Sequence, residues 1–261
     1  MSSALVQFEI EGPLAFLTIN RPEARNAMTW EMYEALVSAC DQVDVTDTVR
    51  VFVVRSTGDK AFISGTDISQ FTHFSTPDAP IEYERRMDLI IDRLERVRVP
   101  TIAQVQGVAA GGGCAIAFAC DMRVCTPDAR FGIPIARTLG NCLSAANYAR
   151  IVDLIGPART KELMFTARLI EAGEAQSLGL VTRLVPYAEL DRSVRDLATS
   201  IAGHAPLTIR ATKEAIRRIQ LHRRPDPASS DDLVRLCYLS GDFKEGVEAF
   251  LAKRAPRFTG T

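Results

Sequence analysis

The sequence predicts an α/β body followed by an all-helical C-terminal third, on three observations. Alternating or β-branched segments recur between helical stripes as far as Val185. No convincing strand pattern follows Pro186. Between them lies Val105–Asp121, a run free of charge until its last residue that carries three consecutive glycines, Gly111 to Gly113. The division falls near residue 188, with a body at 1–188 and a helical region at 189–261.

The glycine run organises the rest. Thr101 to Gln106 reads as a strand, and Gly112 to Ala119 as a helix buried all round, since Ala115, Phe118 and Ala119 recur at helical spacing with no polar face. A helix entered from glycines presents bare backbone N–H groups and its positive dipole end, because no Cβ stands in front of them. That suits a negative oxygen. The same glycines also suit tight packing of a helix on a sheet, and on this stretch alone both readings stand.

Composition narrows the partners. The chain has 261 residues, with Lys+Arg 31 against Asp+Glu 32 and a formal net charge of -1, so no global charge draws it to nucleic acid or a membrane surface. A small-molecule partner is expected. Cys40, Cys114, Cys120, Cys125, Cys142 and Cys237 form no Cys-x-x-Cys pair and mostly sit in apolar surroundings, which suits reduced core thiols better than disulfides or zinc. The N-terminal residues lack a basic n-region and an apolar h-region, and no apolar run has the length of a membrane span, so a cytoplasmic location is expected.

In chain order, Leu5–Ile10 and Leu14–Ile19 flank Glu11-Gly-Pro13 and read as a hairpin. Residues Asn20–Asn26 form a polar turn, and Thr29 caps an amphipathic helix running to about Val43. Val49–Arg55 is a strand, and Ala61–Ile68 is irregular. From Ile81 to Arg98, Tyr83, Met87, Ile91, Leu94 and Val97 form one apolar stripe on a charged helix that stops before Pro100. Met122–Cys125 is a short strand and Phe131–Asn141 again irregular. Helical patterns follow at Leu143–Leu154, Pro157–Thr166 and Glu171–Ser177, then a strand at Leu180–Val185. Strand-strand-helix alternation thus recurs, too unevenly spaced to be a sequence repeat. Helices are expected at Leu190–Ala202, Leu207–Leu221, Asp231–Leu239 and Phe243–Lys253, with a linker at Arg223–Ser230 containing Pro225 and Pro227. Leu233, Leu236, Val247, Phe250 and Leu251 offer apolar faces to another subunit.

Asn20-Arg-Pro-Glu-Ala-Arg-Asn26, Gly58–Ile68, Gly107-Val-Ala-Ala-Gly-Gly-Gly-Cys114, Cys120-Asp121, Phe131-Gly-Ile-Pro134 and Lys244–Arg254 follow one another in an order and spacing that resemble the enoyl-CoA hydratase/isomerase, or crotonase, superfamily over nearly the whole chain. The resemblance implies a crotonase-like spiral core of strand-strand-helix turns that binds a coenzyme A thioester. Matching motifs residue by residue, it implies an oxyanion hole at the amides of Thr66 and Gly112. Gly65, Asp67, Ile68 and Gly111 stand around them. Arg25, Ala27, Lys60 and Ala61 are implied along the nucleotide arm of coenzyme A, helped by Phe250 and Lys253 of the same or a neighbouring subunit. It further implies a homotrimer or dimer of trimers built through the C-terminal helices. No cofactor is implied beyond the coenzyme A of the substrate.

The chain departs from the hydratase pattern at two positions. Family hydratases carry a glutamate three residues after the central glycine and another directly after the proline of Phe-Gly-x-Pro; here these are Ala115 and Ile135. Neither moves a proton, and general acid–base work contributes roughly a hundredfold to ten-thousandfold. The expected chemistry is therefore a non-standard one that keeps the enolate: decarboxylation, thioester or β-diketone hydrolysis, or isomerisation. Hydration through substitute residues and acyl-CoA binding without turnover are the alternatives. Arg137, Asn141 and Ser144 are the nearby polar candidates, Arg137 for a substrate carboxylate and Asn141 for a water; equally, Asn141 or Ser144 caps the helix that follows. Cys142 has no histidine near it in sequence to activate it. Asp67 suits a loop cap, and Asp121 the end of a buried helix. His73, His204 and His222 are scattered and suit surface or capping roles. The basic set Arg210, Lys213, Arg217, Arg218, Arg223 and Arg224 lacks interleaved aromatics, as a solvated helix face does and an RNA surface does not. The glycines do not match the dinucleotide pattern Gly-x-Gly-x-x-Gly.

Overall fold

Strands of two sheets alternate along the chain, and that alternation brings distant loops to one spot. The computed structural model describes residues 5–73, 76, 78–224, 226 and 230–260. The hairpin forms as expected, with β1 (Val6–Glu11) antiparallel to β2 (Leu14–Ile19) and Val6 opposite Ile19. β2 continues into a parallel array with β3 (Val51–Ser56), β5 (Thr101–Val105), β7 (Met122–Cys125) and β10 (Arg183–Leu184). A second sheet has the order β4 (Ala61–Ile63), β6 (Val108–Ala110), β8 (Arg130–Gly132) and β9 (Ile170–Glu171), the first three parallel and the last pair antiparallel.

Each turn of the chain crosses the large sheet, then the small one, then enters a helix. β3 and β4 lead to α2 (Ala79–Glu95), β5 and β6 to α3 (Gly112–Ala119), and β7 and β8 to the single-turn α4 (Ile135–Thr138). Parallel neighbours need such crossovers, so three consecutive turns stack as a spiral, the architecture the resemblance implied. α1 (Trp30–Val45) starts where expected, with the Thr29 side chain accepting from Met32 N. Its Met32, Leu36 and Val43 enter the core shared with Ile91 and Leu94 of α2 and Ile116 of α3. The other face of the large sheet, with Phe16, Val53, Ile102 and Val124, is covered by Leu190, Val194 and Ala198 of α7 (Leu190–Ala202).

α3 is gripped at its far end. Buried Arg123 donates to the carbonyls of Ala117 (3.0 Å), Cys120 (2.7 Å) and Asp121 (3.3 Å), and its Nε to Leu180 O. These include the carbonyls that a helix C-terminus leaves without partners. Asp121 ends the helix as expected: its carboxylate accepts from the Thr101 amide and hydroxyl and from Lys213.

Several elements differ from expectation. The segments read as irregular contain β4, β8 and α4, each too short for periodicity to show. β6 was not anticipated, and the strand expected at Leu180–Val185 pairs only over Arg183–Leu184. The two helices expected after Leu143 are present, as two arms of α5 (Ala145–Thr166) that meet across a break where Gly156 adopts the non-helical φ 74°, ψ 163° before Pro157. α6 (Ala172–Ser177) follows as expected. The linker expected at Arg223–Ser230 lies in part outside the described residues, both its prolines included.

Beyond α7 come α8 (Pro206–Leu221), α9 (Asp231–Tyr238) and α10 (Gly241–Leu251). α9 packs on α2, and α10 on the 3-10 turn Ile68–His73, so this helical third partly covers its own core. Val247, expected to face another subunit, is buried with Val234, Tyr238 and Phe243, whereas Leu233, Leu236, Phe250 and Leu251 stay exposed. The basic set is largely neutralised: Lys213 pairs with Asp121, Arg217 and Arg218 with Glu214, Arg224 with Glu95 and Arg223 with Asp153, which supports the solvated-face reading. Among the described residues no helix is long and apolar enough to cross a membrane.

Candidate active site

The chain approaches α3 from two directions. Residues 25–28 run alongside 63–67: Ser64 N donates to Arg25 O (3.1 Å), Met28 N to Gly65 O (2.8 Å) and Asp67 N to Met28 O (2.9 Å). Met28 and Thr66 thus form a parallel bridge. In such a ladder the amide between two bonded groups points away from the partner strand, so the Thr66 N–H turns from Met28 toward the start of α3. Buried Asn26 secures this segment by donating to the carbonyls of Thr57 and Ala61, both at 2.9 Å.

The three glycines divide the two tasks the sequence left open. Gly111 takes φ +52° to turn the chain. A Cβ on Gly113 would run into the Ile63 carbonyl, so this residue serves close packing on β4. A Cβ on Gly112 would run into the Tyr33 hydroxyl and lie 3.3 Å from Thr66 Oγ1 and 3.7 Å from Thr66 N, so Gly112 lets the Tyr33 hydroxyl and Thr66 pack directly against the start of α3. Among the described residues neither the Thr66 nor the Gly112 amide has an acceptor. Two orphan donors, one at a helix N-terminus, therefore converge on one half-buried spot.

Hydroxyls rather than charges border that spot. Thr66 Oγ1 lies 2.9 Å from Tyr33 Oη and 3.0 Å from Tyr83 Oη. Burial pushes both phenols well above their usual range, so they stay protonated at neutral pH. The rings continue outward as an aromatic wall: Trp30 meets Tyr83 at 5.6 Å, Tyr83 meets Phe71 at 5.0 Å, and Tyr238 meets Phe243 at 4.7 Å. Ala115 is half-buried on the first turn of α3, and Ile135 is buried at the start of α4.

The polar candidates separate. Asp67 caps its loop as expected, accepting from the Ser69 amide (3.1 Å) and hydroxyl (2.7 Å) and pairing with Arg21 at 2.7 Å. Partial burial works against its ionisation, yet the bonds from Arg21 and Ser69 hold its carboxyl below the usual range. Ser144 caps α5, its oxygen accepting from Asn147 N (3.2 Å) while its hydroxyl donates to Asp88 (2.5 Å). Asn141 donates to Tyr238 Oη at 3.0 Å. Arg137 is exposed on α4. Cys142 is buried, which raises its thiol pKa, and makes a contact to Leu233 O rather than to any base.

Arg25, Ala27, Lys60, Ala61, Gly65, Asp67 and Ile68 lie along the 25–28 and 60–68 rim beside Gly111 and Gly112. Of these, Arg25 and Lys60 are exposed. Phe250 in the last turn of α10 and Lys253 just past it are exposed, and among the described residues no hydrogen bond links them to that rim. The side chain of His73 lies outside the described part of the structure.

Sequence reasoning missed three groups near the site. Tyr33 and Tyr83 read as an ordinary helix face and stripe, although a buried phenol requires a partner for its hydroxyl. Glu84 sits three residues from both Ile81 and Met87, on the apolar side of α2, and that spacing was the available signal. It is buried, accepting from Tyr238 Oη (2.5 Å) and Ser144 N (3.0 Å). Burial, with help from Asp88, raises its pKa to about 7 despite the Tyr238 bond.

Known proteins resemble this chain in sequence and fold. The sequence pattern of the family described as enoyl-CoA hydratase/isomerase matches residues 9–261. A short-chain-enoyl-CoA hydratase of Clostridium acetobutylicum is 33% identical over 250 residues, 95% of either chain. A crotonyl-CoA hydratase of Syntrophomonas wolfei is 34% identical over 252 residues, 96% of either chain. Among solved structures, a methylmalonyl-CoA decarboxylase in complex with 2-nitronate-propionyl-CoA superposes over 100% of both chains with a TM-score of 0.91 at 25% identity.

Proposed function

This chain belongs to the enoyl-CoA hydratase/isomerase family, and on that premise we propose that it decarboxylates a short, α-carboxylated acyl-CoA through an enolate held by the amides of Thr66 and Gly112. The observation that carries the reading is the pairing of two orphan amides with a border of hydroxyls and with Ala and Ile at positions 115 and 135. Preorganised donors of this kind lower a barrier by roughly 3 to 4 kcal/mol each when they meet developing negative charge. Hydration and isomerisation also require a group that takes a proton, and positions 115 and 135 carry Ala and Ile. Loss of CO2 needs no base, because the breaking carbon–carbon bond itself leaves its electron pair on the thioester.

The apolar Ala115 and Ile135 favour this step further, since they do not solvate the carboxylate that must leave. Arg137, exposed on α4, is assigned to the mouth of the site rather than to the reacting carboxylate, and Ser144 to its cap. Arg25, Ala27, Lys60 and Ala61 take the nucleotide arm along the 25–28 and 60–68 rim. The aromatic wall sets the short acyl length. Superposition on a decarboxylase over the whole chain supports the same reading, while the hydratase relatives supply the alternative. Exposed Leu233 and Leu236 of α9 and Leu239 just past its end, with Ile216 and Ile219 of α8, support assembly with further copies of the chain, as a trimer or pair of trimers.

A panel of enoyl-, 3-oxoacyl- and malonyl-type CoA thioesters, read by mass spectrometry, tests the assignment. CO2 loss from a malonyl-type member is expected. Rapid stereospecific hydration of crotonyl-CoA with no decarboxylation would overturn the proposal, and saturable binding without any product would make the chain a CoA-ester-binding protein.

A further inference from the structure

We propose that Tyr33, at the inner end of a chain of three hydroxyls formed with Thr66 and Tyr83, delivers the proton that quenches the enolate at its α-carbon. The inference rests on the decarboxylation reading, which creates a carbanion equivalent and leaves open where its proton comes from. Among the described residues the other candidates near the amides are absent or already engaged: Glu84 accepts from Tyr238 and from the Ser144 amide. Ala115 and Ile135 hold no acidic proton, the Ser144 hydroxyl is given to Asp88, and Asp67 is an acceptor for Ser69 and Arg21.

Proton counting favours the trio. Three hydroxyls own three protons, and the two bonds meeting at Thr66 Oγ1 consume two of them. One O–H always points beyond the trio. With donation running from Tyr83 to Thr66 to Tyr33, that O–H belongs to Tyr33, whose oxygen stands where a Gly112 side chain would be and so lies beside the Gly112 and Thr66 amides. The phenols are held in the protonated form by burial, which keeps them donors.

The step balances. The bond from the α-carbon to the carboxylate breaks, CO2 leaves, and the electron pair becomes the enolate. The Tyr33 O–H then breaks as the new α-carbon C–H forms. Tyr33 regains a proton from Thr66 and Thr66 from Tyr83. Tyr83, 9% exposed against 0% for Tyr33, takes one from solvent. One proton is consumed for each CO2 released. Tyr33 is the catalytic residue here, and Thr66 and Tyr83 act through it.

Methylmalonyl-CoA in D2O provides the test, because the labelled product carries a stereocentre at its α-carbon. Wild-type protein should release CO2 and place deuterium in one configuration. Tyr33→Phe should form product at least about tenfold more slowly, in line with the loss of a positioned acid, and give both configurations. Thr66→Ser, which keeps the hydroxyl, should retain a single configuration. Tyr83→Phe, the arm that decides should Tyr33→Phe not fold, should keep the configuration but lower kcat and enlarge its solvent isotope effect. A single configuration from Tyr33→Phe, or unchanged kcat and isotope effect in Tyr83→Phe, would overturn the relay while leaving the decarboxylation reading intact. Absence of CO2 from the wild type overturns both.

Discussion

At the scale of single residues, the glycine run shows how three identical residues carry different duties. Gly112→Ala places a methyl group against the Tyr33 hydroxyl and in front of the Thr66 amide. Loss of one oxyanion donor costs about a hundredfold to a thousandfold in kcat, and a fall of that size is expected from steady-state kinetics on the folded variant. Gly113→Ala should instead show its effect in urea denaturation, because its Cβ meets the Ile63 backbone and the β4–α3 packing must yield. The glycines were legible in the sequence as a backbone site, since their meaning depends on what they lack. The phenols were not, because Tyr33, Thr66 and Tyr83 are brought together by separate segments of the chain and no local spacing links them.

At the scale of elements, α2 carries a buried acid on its apolar side. Glu84 joins α2 to α9 through Tyr238 and to the start of α5 through the Ser144 amide. Its folded pKa, about 7, lies above its usual 4.5, so the stability it contributes is present below about 4.5 and is lost as pH rises through about 7. At about 1.4 kcal/mol per unit, the native state should lose a few kcal/mol across that window from this group; Asp88, also raised, acts in the same sense. Glu84→Gln keeps an acceptor oxygen of the same shape at this position and removes the titration. Denaturation midpoints between pH 5 and 8 should therefore depend less on pH in the variant than in the wild type, and a parallel pH dependence would contradict the assignment. Ser144→Ala should cost about 1 kcal/mol or somewhat more as a lost cap, measured in the same way. Caps and stripes such as Thr29 and the Ile91–Leu94 side of α2 could be read directly, because they are local in sequence. The break at Gly156 before Pro157 could be read as well, but β6 and α4 could not, since three- and four-residue elements are fixed by neighbours that the chain reaches much later.

At the scale of the whole molecule, the helical third has two faces. One folds back on the core through Val234, Tyr238, Phe243 and Val247, while the other leaves Leu236 71% exposed alongside Leu233 and Leu239. Sequence periodicity marks both faces as apolar and cannot say which one the same chain will cover. Light scattering should report an assembly larger than a monomer, and Leu236→Glu should shift it toward smaller species by setting a charge in an apolar contact. A strictly monomeric wild type would remove the proposed assembly.

Arg123 gives the molecule a lever that acts from behind. It holds the last carbonyls of α3, at the end opposite the Gly112 amide. The anchorage of that amide thus lies at the end of α3 away from Ala115 and Ile135, so side chains at those two positions can be exchanged without loosening it. Chemistry becomes exchangeable on a fixed mount, and a single cation remote from substrate guards that freedom.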